Sequence, residues 1–229
     1  MKHTENRNDY QTPGLLDYVK KRMAIEDDRH HYILNYMKAA GLPPIQIGAI
    51  EGKMLQFLAI SCQAKKAVEI GTLGGYSAIW IADALPEDGK LYTLESDLDT
   101  ASGTEKIFKE VGLSKKVSLV TGDANETLET IEPLGPFDFC FIDADKISYP
   151  NYLLWASRHL RKGGIVAADN AYLFGQLHLT PHPSSLLPAT PSVEPILAMQ
   201  EFMRILTDPS HFSVCAMIPT GEGLAVGMK

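Results

Sequence analysis

The sequence predicts an α/β fold built on a mainly parallel sheet, and two observations lead there. From Lys66 onward, short apolar runs alternate with longer stretches of helical periodicity, a pattern that requires right-handed crossovers between parallel strands. Before Lys66 the apolar residues recur at helical spacing alone, so a helical segment precedes the sheet.

Each element has its own signal. Thr12-Pro13 reads as an N-cap followed by proline at the first helical position, and Leu15, Leu16, Val19 and Met23 then recur along one helix. A second helix is expected from about Arg29 to Ala40, stopped by Gly41 and the prolines beyond it. A third carries Ile50, Met54, Phe57 and Leu58 on one face. The strand candidates are 67–70, 91–94, 117–120, 137–142 and 165–168, with helices expected near 76–84, 98–111, 124–132 and 149–160. A proline-rich loop (176–192) leads to a helix over about 193–207. Two closing strands follow, near 212–217 and 223–228, around Pro219-Thr220-Gly221, and such a hairpin makes part of the sheet antiparallel. No repeat or linker divides the chain, so one domain over 1–229 is expected, with 1–44 as its N-terminal helical segment and 45–229 as its core.

Composition removes several classes of function. Lys and Arg number 21 against 28 Asp and Glu, for a net charge of −7, and no basic run offsets this, which argues against a nucleic-acid binder working through phosphate contacts. Hydrophobic residues at 45% supply a core, so disorder is not expected. Cys62, Cys140 and Cys215 each sit in an apolar run and read as free thiols of a reducing compartment, hence a cytoplasmic location. The polar N-terminus MKHTENRNDY lacks the apolar core of a signal peptide. The longest uncharged stretch, Asn170 to Val193, holds four prolines and two histidines, so it does not read as a membrane span.

In an open parallel sheet, ligands bind beyond the carboxyl ends of the strands, so those ends carry the functional reading. After the first strand comes Glu69-Ile70-Gly71-Thr72-Leu73-Gly74-Gly75-Tyr76-Ser77. Glycine admits a ligand close to the backbone, and the next helix offers free N–H groups. The spacing is not G-x-G-x-x-G, and a plain tight turn is the competing reading. The second strand ends at Glu95, whose carboxylate suits the two hydroxyls of a ribose; a solvated strand-end acid is the alternative. The third ends at Gly122-Asp123-Ala124-Asn125, small and polar residues that suit a flat purine, although Asp123 serves equally as a helix cap. The fourth and fifth end at Asp143-Ala144-Asp145-Lys146 and Asp169-Asn170. If neighbouring, Asp143, Asp169 and Asn170 offer three oxygens to a hard cation such as Mg²⁺, Mn²⁺ or Ca²⁺, and not to zinc. The competing reading is a metal-free loop in which Lys146 supplies the counter-charge. The seven histidines form no ligand spacing, and no G-x-S-x-G elbow is present.

With these segments in hand, the chain resembles the cation-dependent class I O-methyltransferases that include the caffeoyl-CoA and catechol enzymes. The resemblance runs through Ile45–Gly52, Ala64–Ser77, Leu94-Glu95, Gly122–Asn125, Phe137–Lys146, Gly163–Asn170 and Pro219–Gly227, and the combination of VEIGTLGGYSA, FIDADK and VAADN makes it specific. It implies a Rossmann-like seven-stranded, mostly parallel sheet with one antiparallel strand and helices on both faces, usually in a homodimer. It implies that Glu69, Gly71, Thr72 and Ser77 hold the amino-acid end of S-adenosylmethionine, that Glu95 binds the ribose, that Ala124 and Asn125 flank the adenine, and that Asp143 also belongs to the cofactor site. Ile45-Gln46-Ile47 would close over the cofactor. Asp143, Asp169 and Asn170 would bind the divalent cation, Mg²⁺ first and Mn²⁺ or Ca²⁺ as alternatives, while Lys146, with Asp143 beside it, would carry the catalytic step at the acceptor hydroxyl.

The implied acceptor is a small vicinal diol, catechol-like or caffeoyl-type, with neither nucleic acid nor membrane as partner. Two departures bear on it. Asn170 is followed by Ala171-Tyr172-Leu173-Phe174 where the family usually has Val or Thr and then Leu-Trp, and 176–192 is unusually rich in proline. Leu177, Leu179, Leu186 and Leu187 therefore line an acceptor pocket or pack on a partner subunit. The alternatives from other classes are a nicotinamide-dependent oxidoreductase and a non-catalytic S-adenosylmethionine-binding module.

Overall fold

A computed structural model describes residues 12–180 and 193–229. Its centre is one seven-stranded sheet: β1 (Lys66–Ile70), β2 (Lys90–Glu95), β3 (Val117–Thr121), β4 (Phe137–Ile142), β5 (Leu160–Ala168), β6 (Val214–Ile218) and β7 (Leu224–Met228), in the order β3-β2-β1-β4-β5-β7-β6. Only β7 runs against the rest, pairing antiparallel with both β5 and β6. The expected mostly parallel sheet with one reversed strand is what forms.

Burial on both faces explains the apolar runs. Along β4, Phe139 and Phe141 enter one core and Cys140 and Ile142 the other, the period of two that a strand imposes, while Phe137, on the far side of a register shift, joins the second core. The first core is closed by α2 (Asp28–Ala39), α3 (Ala49–Ser61), α4 (Tyr76–Ala84) and α5 (Leu98–Glu110), through residues such as Ile33, Leu55, Ile79 and Phe108. The second is closed by α6 (Ala124–Ile131), α7 (Tyr149–His159) and α8 (Val193–Leu206), through Leu128, Leu153 and Phe202. Among the described residues no helix is long and apolar enough to cross a membrane.

The N-terminal helices depart from expectation. Helix α1 (Pro13–Met23) has the expected cap, Thr12 accepting from the Leu15 N–H at 3.3 Å, but it buries none of its residues. In α3 the inward stripe is Ala49, Gly52, Leu55 and Ala59, and Phe57 points outward at 64% exposure. That helix is apolar almost all round, so its spacing did not define a face, and Gly52 decides it: a Cβ there would strike the Trp80 ring. Strand β5 also begins at Leu160, five residues before the predicted run. Arg161-Lys162-Gly163-Gly164 reads as a turn, yet it is held in the sheet at Phe137–Leu160 through an irregular register. Leu186 and Leu187 lie outside the described residues.

Strand order reverses at β1 and β4, which send their connections to opposite sides. The crevice beyond their carboxyl ends is where a ligand fits in such sheets.

Candidate active site

Two hollows adjoin at that crevice. The larger, about 640 Å³, is lined by Ile47, Gly71, Thr72, Ser77, Asp143, Lys146, Asp169 and Asn170 among others. The smaller, about 290 Å³, runs along Glu95, Gly122, Asp123 and Ala124 and shares Ile45, Gly71, Leu73 and Asp143 with the first. Every residue expected to hold cofactor or cation or to act in catalysis thus lines this cleft except Glu69 and Asn125.

Those two act from behind. Glu69 lies on the same pleat face as Ala67 and is fully buried. Its Oε1 accepts from Ser77 Oγ at 2.5 Å and its Oε2 from Thr93 Oγ1 at 2.6 Å, while Thr72 Oγ1 meets Thr93 Oγ1 at 2.6 Å. Burial pushes the Glu69 carboxyl up to about 7, against the pull of Ser77 and Thr93. Glu69 thus holds Ser77 directly, and Thr72 through Thr93, from the core side of the cleft. Asn125 belongs to the cap of α6: its N–H and Nδ2 donate to Asp123 Oδ1 at 2.8 and 3.1 Å. Asp123, its partner, lines the smaller hollow beside Ala124.

The glycine turn is built for close approach. Gly71 has φ +100, and a Cβ there would collide with the Asp143 carbonyl, so the ends of β1 and β4 touch only because this residue is glycine. Helix α4 then opens at Gly75 with no side-chain cap, leaving its first N–H groups facing the cleft, as suits a carboxylate. Glu95 is fixed at the end of β2 by two backbone donors, Leu73 N–H at 2.8 Å and Asp97 N–H at 3.0 Å. Gln46, which lines the larger hollow, has a buried Oε1 with no partner among the described residues.

The ends of β4 and β5 bring acids together, as their neighbouring positions predict. Asp169 is 5% exposed, and its Oδ1 is buried with no hydrogen-bond partner among the described residues. Burial and then the Asp143 charge push its carboxyl up to about 7. Asp143 is likewise raised by burial, opposed by Lys146, whose Nζ lies 3.4 Å from Asp143 Oδ1. Burial in turn lowers Lys146 below the ordinary lysine value. Asn170 follows with φ +51, a left-handed conformation that asparagine tolerates. Among the described residues no three His, Cys, Asp or Glu side chains gather as a metal site, so these two carboxylates and one amide are what a cation would find. The donor set fits a hard divalent ion: it is all oxygen, and it contains a buried carboxylate oxygen that nothing else satisfies.

One residue the sequence reading missed stands beside them. Tyr149, the first residue of α7 and fully buried, accepts a short hydrogen bond from Lys146 Nζ. Its hydroxyl lies 3.1 Å from the Asp169 carbonyl and 3.3 Å from that of Ile142, and its ring lies 4.4 Å from Nζ. Lys146 is therefore held between a carboxylate and a phenol anchored to the ends of β4 and β5. The i,i+3 spacing from Lys146 was legible, but the strand pairing that anchors Tyr149 was not.

Comparison with known proteins follows the same lines. A family model described as O-methyltransferase matches residues 24–229. The catechol O-methyltransferase of Niastella koreensis is 43% identical over 162 residues, 70% of this chain and 73% of its own length. The catechol O-methyltransferase of Mycobacterium tuberculosis is 42% identical over 132 residues, 58% of this chain and 60% of its own. The crystal structure of the O-methyltransferase TomG from Streptomyces achromogenes, involved in tomaymycin synthesis and solved in complex with SAM, has a TM-score of 0.83 at 30% identity, covering 94% of this chain and 95% of that one.

Proposed function

The chain belongs to the O-methyltransferase family, and from that premise we propose that it transfers a methyl group from S-adenosylmethionine to one hydroxyl of a catechol-like vicinal diol, with a divalent cation required. The observation that carries this reading is the buried, partnerless Oδ1 of Asp169 beside Asp143 and the depressed Lys146, in the cleft that Gly71 opens.

Asp143, Asp169 and Asn170 would hold the cation, which supplies Lewis acidity that lowers the pKa of an acceptor hydroxyl. The α4 N-terminus, with Ser77 and Thr72 held by Glu69 and Thr93, binds the carboxylate end of the cofactor. Glu95 accepts hydrogen bonds from its ribose, and the hollow beside Ala124 takes the purine. Lys146, desolvated and below its ordinary pKa, accepts the hydroxyl proton at Nζ, and Tyr149 keeps that nitrogen at the cleft edge. Ile45 to Gly48 also line the cleft and limit water entry. Fixing the two reacting atoms about 3 Å apart contributes several kcal/mol by orientation alone.

The test is methyl transfer from radiolabelled S-adenosylmethionine to catechol, with Mg²⁺ and with EDTA. The expected outcome is labelled product with Mg²⁺ and none with EDTA. Equal labelling in both would refute the cation requirement, and no labelling of any diol would refute the acceptor class.

A further inference from the structure

The two ends of the sheet differ in charge. Between Ala67 and Asp145 the basic residues are Lys90, Lys106, Lys109, Lys115 and Lys116. Lys90 opens β2, Lys106 and Lys109 lie in the last turns of α5, and Lys115 and Lys116 precede β3, so all five sit toward the amino ends of the strands. In this stretch the segments that leave the carboxyl ends carry acids instead: Glu95, Asp97 and Asp99 after β2, Asp123 and Glu126 after β3.

The cleft continues that pattern. Glu51, Asp143, Asp145, Asp169 and Glu222 line the larger hollow against one lysine, Lys146, which lies 3.4 Å from Asp143. Two further basic groups stand nearby: His178, which lines the adjoining hollow, and Lys38, exposed next to Met37, whose side chain abuts Gly74. The acids outnumber these groups, and the apolar wall of Ile45, Ile47 and Leu73 concentrates their field in the opening. Two buried side-chain oxygens that line the cleft, Asp169 Oδ1 and Gln46 Oε1, lack a partner among the described residues, and Asp169 is only 5% exposed. Both are acceptors, which suits a ligand that brings positive charge or donors.

S-adenosylmethionine is such a ligand. Its sulfonium, ammonium and carboxylate leave one net positive charge. On methyl transfer to oxygen the electron pair of the S–CH₃ bond stays on sulfur and the hydroxyl proton leaves with the protein's base, so the product S-adenosylhomocysteine has no net charge.

We propose that the acidic mouth of the cleft favours the methyl donor over its spent product at the encounter step, speeding entry of the cation and leaving entry of the neutral thioether unchanged. The proposal rests on the methyl-transfer reading of the cleft. Asp99 and Glu126 are the outlying members of the mouth. Both are exposed, line neither hollow and make no ion pair among the described residues, so their part in it is the field alone.

The experiment measures stopped-flow on- and off-rates of S-adenosylmethionine and S-adenosylhomocysteine, without acceptor and in EDTA, so that neither turnover nor a bound cation intervenes. It is run at about pH 7, where the ligand's ammonium is still charged. Raising salt from about 0.02 to about 0.5 M should lower the donor's on-rate roughly tenfold and the product's less than about twofold. A unit charge about 10 Å away in water changes an encounter rate roughly twofold, so Asp99→Asn combined with Glu126→Gln should lower the donor's on-rate about two- to fourfold at low salt, and Asp99→Lys with Glu126→Lys should lower it further. Off-rates, product on-rates and all rates at high salt should match the wild type, which also shows that the variants are folded. Donor and product rates that fall together with salt, a donor rate that ignores salt, or variants equal to the wild type at low salt would each overturn the steering while the methyl-transfer reading stands. If the wild type binds neither ligand, that reading fails and takes this proposal with it.

Discussion

Lowering the pH from about 8 to about 6 should weaken Mg²⁺ binding roughly tenfold, and Asp169 sets that figure. Its carboxyl is moved from an ordinary 3.8 to about 7, by burial first and by the Asp143 charge next. At about 1.36 kcal/mol per pH unit, ionising Asp169 costs roughly 4 kcal/mol more in the folded chain than in the unfolded one. The sign follows from the proton count. Between about pH 4 and pH 7 the folded, cation-free chain keeps a proton that the unfolded chain has released, so its stability falls as pH rises through that window and levels off above it. A cation takes the carboxylate form and expels that proton, so its affinity rises over the same window and levels off above about 7. The assay is calorimetric titration of Mg²⁺ at about pH 6, 7 and 8 in buffers of different ionisation enthalpy, which counts the protons released. Asp169→Asn should bind Mg²⁺ weakly, without pH dependence, and should be more stable than the wild type at about pH 8 in EDTA. Affinity that stays constant from about pH 6 to 8 with no proton release, or an Asp169→Asn variant that binds as the wild type does, would refute the reasoning.

Three further substitutions separate the roles. Tyr149→Phe removes the acceptor of the Lys146 hydrogen bond and should lower kcat about ten- to a hundredfold with S-adenosylmethionine affinity preserved. In a Lys146→Ala background it should cost almost nothing more, and additive losses in that double-mutant cycle would reduce Tyr149 to a structural residue. Gly71→Ala forces a side chain onto the Asp143 carbonyl at φ +100 and should destabilise the fold by about 1–3 kcal/mol; thermal unfolding and cofactor titration would both register it, with affinity down at least about tenfold. Glu95→Gln keeps one backbone bond and loses the charge, so cofactor Kd should rise about tenfold while Mg²⁺ affinity measured without cofactor stays put; a parallel loss of both would mean that the turn itself had shifted.

What could be read from the sequence divides by range. Strands buried on both faces announce themselves as apolar runs, and the acids at their ends stand out because nothing in a core calls for them. Hence β1 to β4, helix α4 and the group Asp143, Asp169 and Asn170 were legible. The contacts that the sequence does not reveal are those that depend on a neighbour brought in by the fold. The period of two along β1 puts Glu69 with Ala67 under α4, yet only the presence of Ser77 and Thr93 there shows that both its oxygens are taken. Tyr149 reads as one more aromatic of an amphipathic helix until β4 and β5 pair and offer their last carbonyls to its hydroxyl. The inward face of α3 was hidden for the opposite reason: with Ile50, Met54, Phe57 and Leu58 all apolar, the choice fell to the space that Gly52 leaves for Trp80.

Among the described residues the costs gather mainly at one place, Gln63 at φ +53 and the unpartnered ring nitrogens of His30, Trp80 and Trp155 excepted, and that distribution is itself an argument about function. Glu69 and Asp169 are buried carboxyls raised to about 7, Asp169 keeps an unsatisfied oxygen, and Leu73, Asn170, Leu173 and Phe174 all adopt positive φ. All of these lie at or just beyond the ends of β1, β4 and β5. By contrast Asp138, at the opposite end of β4, accepts from the backbone N–H groups of Lys65 and Lys66 and from Arg161 Nε, and its carboxyl is lowered. A chain selected for stability alone would have satisfied both ends in that manner. Strain of about 1–3 kcal/mol at each unfavourable backbone position persists only where surrounding structure over-determines it, and the two apolar cores on either face of the sheet do so here. On the proposed reading the destabilised end is the end that ligands would complete: a cation on Asp169 and a cofactor at the α4 N-terminus would bind only the folded chain, and each would offset part of the cost of having built the site.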